Sequence, residues 1–306
     1  MKTKETTPSS SLEEAKKYFN LLLSGNNKGG ITKSTSVGAC IDSLQDFGYF
    51  VRRAEAEAEN PILSAMLPNV ELVNYKDEDA MDAFVGSLLE SEHEGNDLTV
   101  LDLPGDSGQV LMSYFTPERL DAFTAIGIRL IVGLTLVEDI DAIVGATLYM
   151  ATFHKHAEFI AIASKAKTGR TPDGKEKPFG RDEIASFPGG SAINDLIGDR
   201  IISIPRFSEK MVADYARCKG IPSAYLPGGP AYRELGLSFG AHFPWQSHRN
   251  RVLANVAPYA EWLTGRPIPK PQNVPMAADY EAQQEREKYL AELRSGLKRP
   301  VQAMRK

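Results

Sequence analysis

The chain has 306 residues, 42% hydrophobic and 25% charged, which is the composition of a globular protein able to form one α/β domain with a substantial core plus appendages. A net charge of -5 and a pI near 5.7 argue against a strongly basic nucleic-acid binder, and two distant cysteines, Cys40 and Cys218, exclude a disulfide framework and a Cys-x-x-Cys metal or cluster site within the chain. No apolar run is long enough to span a bilayer and residues 1–11 are polar rather than signal-like, so a reducing, cytoplasmic setting is expected.

Residues 1–17 read as a flexible leader and residues 18–266 as the main domain. Residues 21–23 are an apolar run of buried-strand type that breaks into a loop rich in Gly and Asn, and the pattern turns helical at Ser34. A strand, a glycine loop and a helix in that order make a phosphate cradle, because loop amides and the positive helix end converge on one anion. In such a cradle Lys33 reaches the β- and γ-phosphates of ATP and the Ser34 hydroxyl holds Mg²⁺. Asn27, Gly29, Gly30, Ile31, Thr32 and Thr35 complete the candidate loop; the alternative is an ordinary turn at Gly29 and Gly30 with Lys28 as a solvated surface lysine.

The strict G-x-x-x-x-G-K-[ST] pattern is not met, since Asn27 and Thr32 stand where the two glycines belong. The K-G-G-x-x-K-[ST] arrangement at residues 28–34 resembles instead the deviant Walker A motif of the ParA/MinD family of P-loop ATPases. That resemblance implies that Lys28 is a signature lysine reaching a nucleotide held by a facing subunit, where it neutralises transition-state charge. Thr32 is β-branched, so a left-handed backbone there carries strain that glycine would not.

Beyond the loop, Val37, Cys40, Ile41 and Leu44 recur at helical spacing over residues 36–47, with Gly48 as the stop. Residues 49–54 are the next strand, unusual for a covered parallel sheet in containing Arg52 and Arg53. The resemblance implies that Glu55 and Glu57 stand where the family has a D-x-D element, with Glu57 positioning the attacking water. Read from the residues alone, the same stretch is a helix-forming, solvated Ala-Glu repeat.

Residues 60–68 read as loop, 70–74 as a short strand, 77–92 as an amphipathic helix and 91–97 as a turn. Residues 98–104 form an apolar strand containing Asp102, followed by a Gly-Asp-Ser-Gly loop. A carboxylate at the carboxyl end of a buried strand beside the first is where P-loop ATPases hold the magnesium water shell, so Asp102 joins Ser34 as a metal candidate; as an alternative it caps a turn. The rest alternates: helix 117–127, strand 128–137, helix 138–153, strand 158–164, loop 165–188, helix 191–197, strand 200–204, helix 208–219, loop 221–230 and helix 242–265. The fold expected is α/β, a mostly parallel sheet with helices on both faces, P-loop NTPase-like.

Residues 267–276 are a proline-rich linker, and residues 277–306 a charged helix with a basic tail, in which Tyr280, Leu290, Leu293 and Leu297 form only a narrow apolar stripe. Partner docking or plain solvation suits it better than a membrane. The resemblance implies an ATP- and Mg²⁺-dependent homodimer with two nucleotides sandwiched between subunits, slow ATP hydrolysis, and a switch serving plasmid or chromosome partition, cargo positioning or conjugative transfer. It also implies a protein activator and a non-specific DNA surface, for which Arg206, Arg217, Lys219, Arg249 and Arg251 are candidates; scattered over helices, they read equally as solvated faces. The alternative is a hydrolysis-deficient nucleotide-binding interaction protein, favoured by the departures at Thr32, Glu55 and Glu57. A small-molecule kinase on the same fold would need a substrate pocket that no residue cluster announces.

Overall fold

The computed structural model describes residues 19–26, 33–56, 62–67, 69–90, 96–105, 113–164, 179–206 and 239–269, with residues 65, 66 and 239–245 given by their backbone. The leader, the loop at 27–32, Glu57, the expected elements at 208–219 and 221–230, and the segment from 270 onward lie outside the described residues.

Seven strands form one sheet, β1 (Phe19–Gly25), β2 (Val51–Glu55), β3 (Glu71–Leu72), β4 (Leu98–Asp102), β5 (Ile128–Leu136), β6 (Glu158–Ser164) and β7 (Ile201–Ile204). Their order is β3-β2-β4-β1-β5-β6-β7, and every pairing is parallel. The helices are α1 (Lys33–Asp46), α2 (Leu63–Met66), α3 (Glu78–Glu90), α4 (Pro117–Ala125), α5 (Ile140–Phe153), α6 (Arg181–Ala185), α7 (Gly190–Ile197) and α8 (Phe239–Thr264). The expected α/β class, a parallel sheet with helices on both faces, is the observed one.

Side chains of a strand alternate between faces, and the two cores follow that alternation. Leu21 and Leu23 of β1, Val132 and Leu134 of β5 and Phe159 of β6 pack with Phe84, Phe115, Ile143 and Tyr149, beneath α3, α4 and α5. Leu22, Ile131, Ile160 and Ile202 pack on the opposite face with Val37, Ile41, Leu44, Val252 and Val256, beneath α1 and α8. Each fully buried aliphatic contributes about 1.5–3 kcal/mol from burial, which explains why an unbroken apolar run is the signature of these central strands.

Several boundaries differ from the sequence reading for local reasons. α1 begins at Lys33 rather than 36, and stops as expected before Gly48, whose φ of 91° is accessible to glycine without strain. α2 and α6 lie inside stretches read as loop; with four and five residues they are too short to show a helical period. α5 starts at Ile140 because Asp139 caps it, its carboxylate accepting from the amides of Asp141 (2.9 Å) and Ala142 (3.4 Å). Arg52 is tolerated in β2 because β3 has only two residues: the guanidinium reaches Glu71 (2.7 Å) and Ser87 Oγ (2.9 Å) and lies 5.2 Å from the Phe84 ring centre.

Candidate functional site at the carboxyl edge of the sheet

From β1 the chain passes over the α1 face and turns toward β2, while β5, its neighbour on the other side, continues over the opposite face through α5 to β6. Adjacent strands whose connections leave in opposite directions open a crevice at their carboxyl ends, the usual ligand position in an open α/β sheet. The glycine loop read from the sequence is anchored on both sides of this crevice, by Gly25 and Asn26 before it and by Lys33 after it.

Lys33 lies in the first turn of α1, where a cation opposes the helix dipole, and it is buried. Its ammonium donates to the Asp102 carboxylate at the end of β4, which is only 1% exposed. Each charge compensates the other where neither has access to water. Ser34 is buried beside Lys33 in the same turn and Thr35 is partly exposed.

The register explains how these residues meet. Ser24 of β1 pairs with Asp102 of β4, which pairs in turn with Glu55 of β2. By the pleat, all three side chains share the face covered by α1, as does Thr135 of β5. The hydroxyls of Ser24 and Thr135 are fully buried and find no hydrogen-bond partner among the described residues. An unpaired buried hydroxyl is costly, so two of them at the carboxyl ends of β1 and β5 are consistent with a polar occupant of the crevice.

Glu55 is 1% exposed, and its carboxylate accepts from three backbone amides, those of Ile62 (2.6 Å), Leu63 (2.8 Å) and Ser64 (2.8 Å). It therefore holds the amino end of α2 against the end of β2. Of the two glutamates singled out by the sequence, this one is engaged by backbone donors, and Glu57 lies outside the described residues, as do Asn27, Lys28, Gly29, Gly30, Ile31 and Thr32.

Two residues not singled out by the sequence fix the carboxyl end of β1. Asn26 is fully buried and donates through Nδ2 to the carbonyls of Thr135 (2.6 Å) and Ala142 (2.9 Å), tying the exit of β1 to β5 and to the first turn of α5. Tyr149 of α5 supports Gly25 so closely that a Cβ there would lie 2.2 Å from its ring, so no other residue fits without displacing the tyrosine. An asparagine directly after an apolar strand was the one available signal; the tyrosine is 124 positions away and left none.

Farther from the crevice, Arg249 of α8 pairs with Asp46 and approaches Asp42 (3.6 Å), both on α1. One of the five basic residues considered for a DNA surface thus has its charge turned onto α1. Burial is the main cause raising the Asp46 carboxyl to about 6 despite Arg249, and burial pushes the Cys40 thiol on the same helix up to about 12. Among the described residues, no three histidine, cysteine or carboxylate side chains group as a metal site, and no helix is long and apolar enough to cross a membrane.

No protein-family model and no curated protein matches the sequence. Among solved structures, the chain is similar to MinD in the MinC:MinD cell division protein complex of Aquifex aeolicus, at 12% identity and a TM-score of 0.46, covering 83% of this chain and 98% of that one. It is also similar to the Aquifex aeolicus MinD cell division protein (13% identity, 82% and 98% covered, TM-score 0.44) and to a ParA family ATPase from Chlorobium tepidum TLS (13%, 79% and 97%, 0.41). The fold itself is defined by the strand order and register above.

The donor set suits a magnesium triphosphate: a helix amino end, a buried ammonium, a hydroxyl and a carboxylate meet beside two unpaired hydroxyls. Lys33 and the amides of the loop would hold the phosphates, and Ser34 and Asp102 the metal.

Proposed function

We propose that the protein is a ParA/MinD-like ATP-binding switch whose nucleotide sits at the carboxyl edge of the sheet, between β1, β4 and the amino end of α1. The observation that carries this reading is the buried Lys33–Asp102 pair, an ammonium and a carboxylate on neighbouring elements at the crevice. A Mg²⁺ ion held by Ser34 and Asp102 would supply charge neutralisation to the phosphates. Lys33 exchanges its partner, releasing Asp102 and turning its ammonium to the phosphate oxygens. The Ser34 hydroxyl and the Asp102 carboxylate, freed of Lys33, would be the groups that hold the metal. Lys28 extends from the loop toward the nucleotide of a facing protomer, and Glu57 orients the attacking water. Association of two protomers follows nucleotide occupancy, and hydrolysis separates them. Partition, cargo positioning or conjugative transfer, with an activator protein and non-specific DNA as partners, are the roles such a switch would serve.

A second reading, nucleotide binding without turnover, is favoured by one observation: the Glu55 carboxylate is committed to three amides of residues 62–64 and so holds α2 rather than a water. Measuring ATP turnover together with sedimentation, with and without ATP and Mg²⁺, separates the two. The switch predicts slow turnover and a nucleotide-dependent dimer, both lost in Lys28→Ala. Binding without turnover that Lys28→Ala leaves unchanged supports the second reading.

A further inference from the structure

The outer face of α5 carries Ile140, Val144 and Leu148, each about half exposed and four residues apart, so they form one apolar stripe along a helix whose inner face is in the core. Three large aliphatics left in water on one helix face mark a contact surface. Its charge is polarised: Glu138 and Asp141 flank the amino end, and Lys155 follows the carboxyl end.

The chain itself carries a matching segment. Leu290 and Leu297 lie seven positions apart, with Leu293 between them, against eight positions for Ile140 and Leu148, which at helical rise is about 10–12 Å in each case. Lys298 and Arg299 follow the last leucine, and Arg286, Glu287 and Lys288 precede the first, so it is the end with Lys298 and Arg299 that complements the acidic amino end of α5. The described chain also ends in the right place. Arg266 pairs with Asp97 (2.8 Å), just before β4, so the chain leaves the domain at the amino edge of the sheet. The carboxyl end of α5 leads into the start of β6 at that same edge. A helix rising from there would run antiparallel to α5 and bring its basic end to the acidic end of α5. The 20 residues between Pro269 and Leu290 span up to about 70 Å when extended, enough to pass from the α8 face to the α5 face.

We propose that the Ile140, Val144 and Leu148 face of α5 is the docking surface for this chain's own residues 286–299, which lie antiparallel to α5 with Leu297 beside Ile140 and Leu290 beside Leu148. The pairing stands on the stripe, the basic Lys298 and Arg299 against the acidic amino end of α5, and the exit of the chain, and does not depend on the nucleotide reading. It covers apolar surface on both partners and sets Lys298 and Arg299 against Glu138 and Asp141.

Photo-crosslinking of the full chain tests it, with Leu148→p-benzoylphenylalanine as the probe and peptide mapping of the monomer band as the readout. The expected result is an intrachain link to residues 286–299 that falls about tenfold in Leu293→Glu, since exposing one leucine site is worth at least a decade in such an equilibrium. Reversing the basic end of the segment with Lys298→Glu and Arg299→Glu lowers the yield as well, without altering α5 itself. A link to a second copy, or a monomer band with no tail peptide, overturns the proposal.

Discussion

The two edges of the sheet hold their ion pairs at different depths. At the amino edge the ion pairs and the Asn20 amide are part-exposed and partnered, although the buried Asn96 amide finds no partner among the described residues: Asn20 donates to the carbonyls of Asp97 (3.1 Å) and Thr264 (2.8 Å), and Arg129 forks Glu158 (2.7 and 2.9 Å) and donates to the Trp262 carbonyl (2.6 Å). Asp97 accepts from the Phe50 amide (2.8 Å) and from Arg266. At the carboxyl edge a lysine and an aspartate are buried together, two hydroxyls have no partner among the described residues, and a glutamate collects three amides. The first edge fastens α8 to the sheet; the second retains polar groups in a crevice, at a cost that folding alone does not require. Parallel sheets divide labour in this way because every strand delivers its carboxyl end to the same side.

Substitutions sharpen the contrast. Lys33→Ala leaves the Asp102 carboxylate buried and uncompensated, so it should cost about 3–5 kcal/mol in urea unfolding, the largest single-site polar effect expected. Glu55→Ala removes a charged acceptor from three amides and should cost about 3 kcal/mol, with Glu55→Gln recovering roughly half, by the same measurement. Asn26→Ala leaves two buried carbonyls without a donor and should cost about 2 kcal/mol while loosening the loop. At the amino edge, Arg266→Ala removes a cation that is more than half exposed, so a loss of at most about 1 kcal/mol is expected. A loss at Arg266 equal to that at Lys33 would break the contrast.

The smallest effect concerns pH. Asp46 titrates at about 6 in the folded protein against an ordinary value of 3.8, so the folded state holds this proton more tightly than the unfolded chain. Its contribution is therefore favourable below 3.8 and is lost as pH rises through 6. Asp46→Asn should flatten that part of the stability profile, read from thermal midpoints across the same window.

Much of the sheet was legible because β1, β4, β5 and β6 are covered on both faces, and so read as continuous apolar runs separated by helical periods. Asp102 and Lys33 were legible as types of residue in particular positions, at a strand end and a helix start. Their contact was not, since it depends on β4 inserting between β1 and β2. Glu55 was read for its distance from Lys33, whereas its partners come from a one-turn helix with no periodic signature. Ser24, Thr135 and Tyr149 left no signal, because a hydroxyl at a strand end or an aromatic in a helix is core-like until the packing around it is known.

Equilibrium binding of ATP in the presence of Mg²⁺ to the wild-type chain and to Lys33→Met, which replaces the ammonium with an apolar side chain of similar length, bears most directly on the crevice as a triphosphate site. Saturable binding by the wild type and a loss of at least a hundredfold in a folded Lys33→Met protein are expected, as a charge-assisted phosphate contact is worth about 3 kcal/mol. Equal affinity in the two proteins, or no binding by the wild type, would contradict the account.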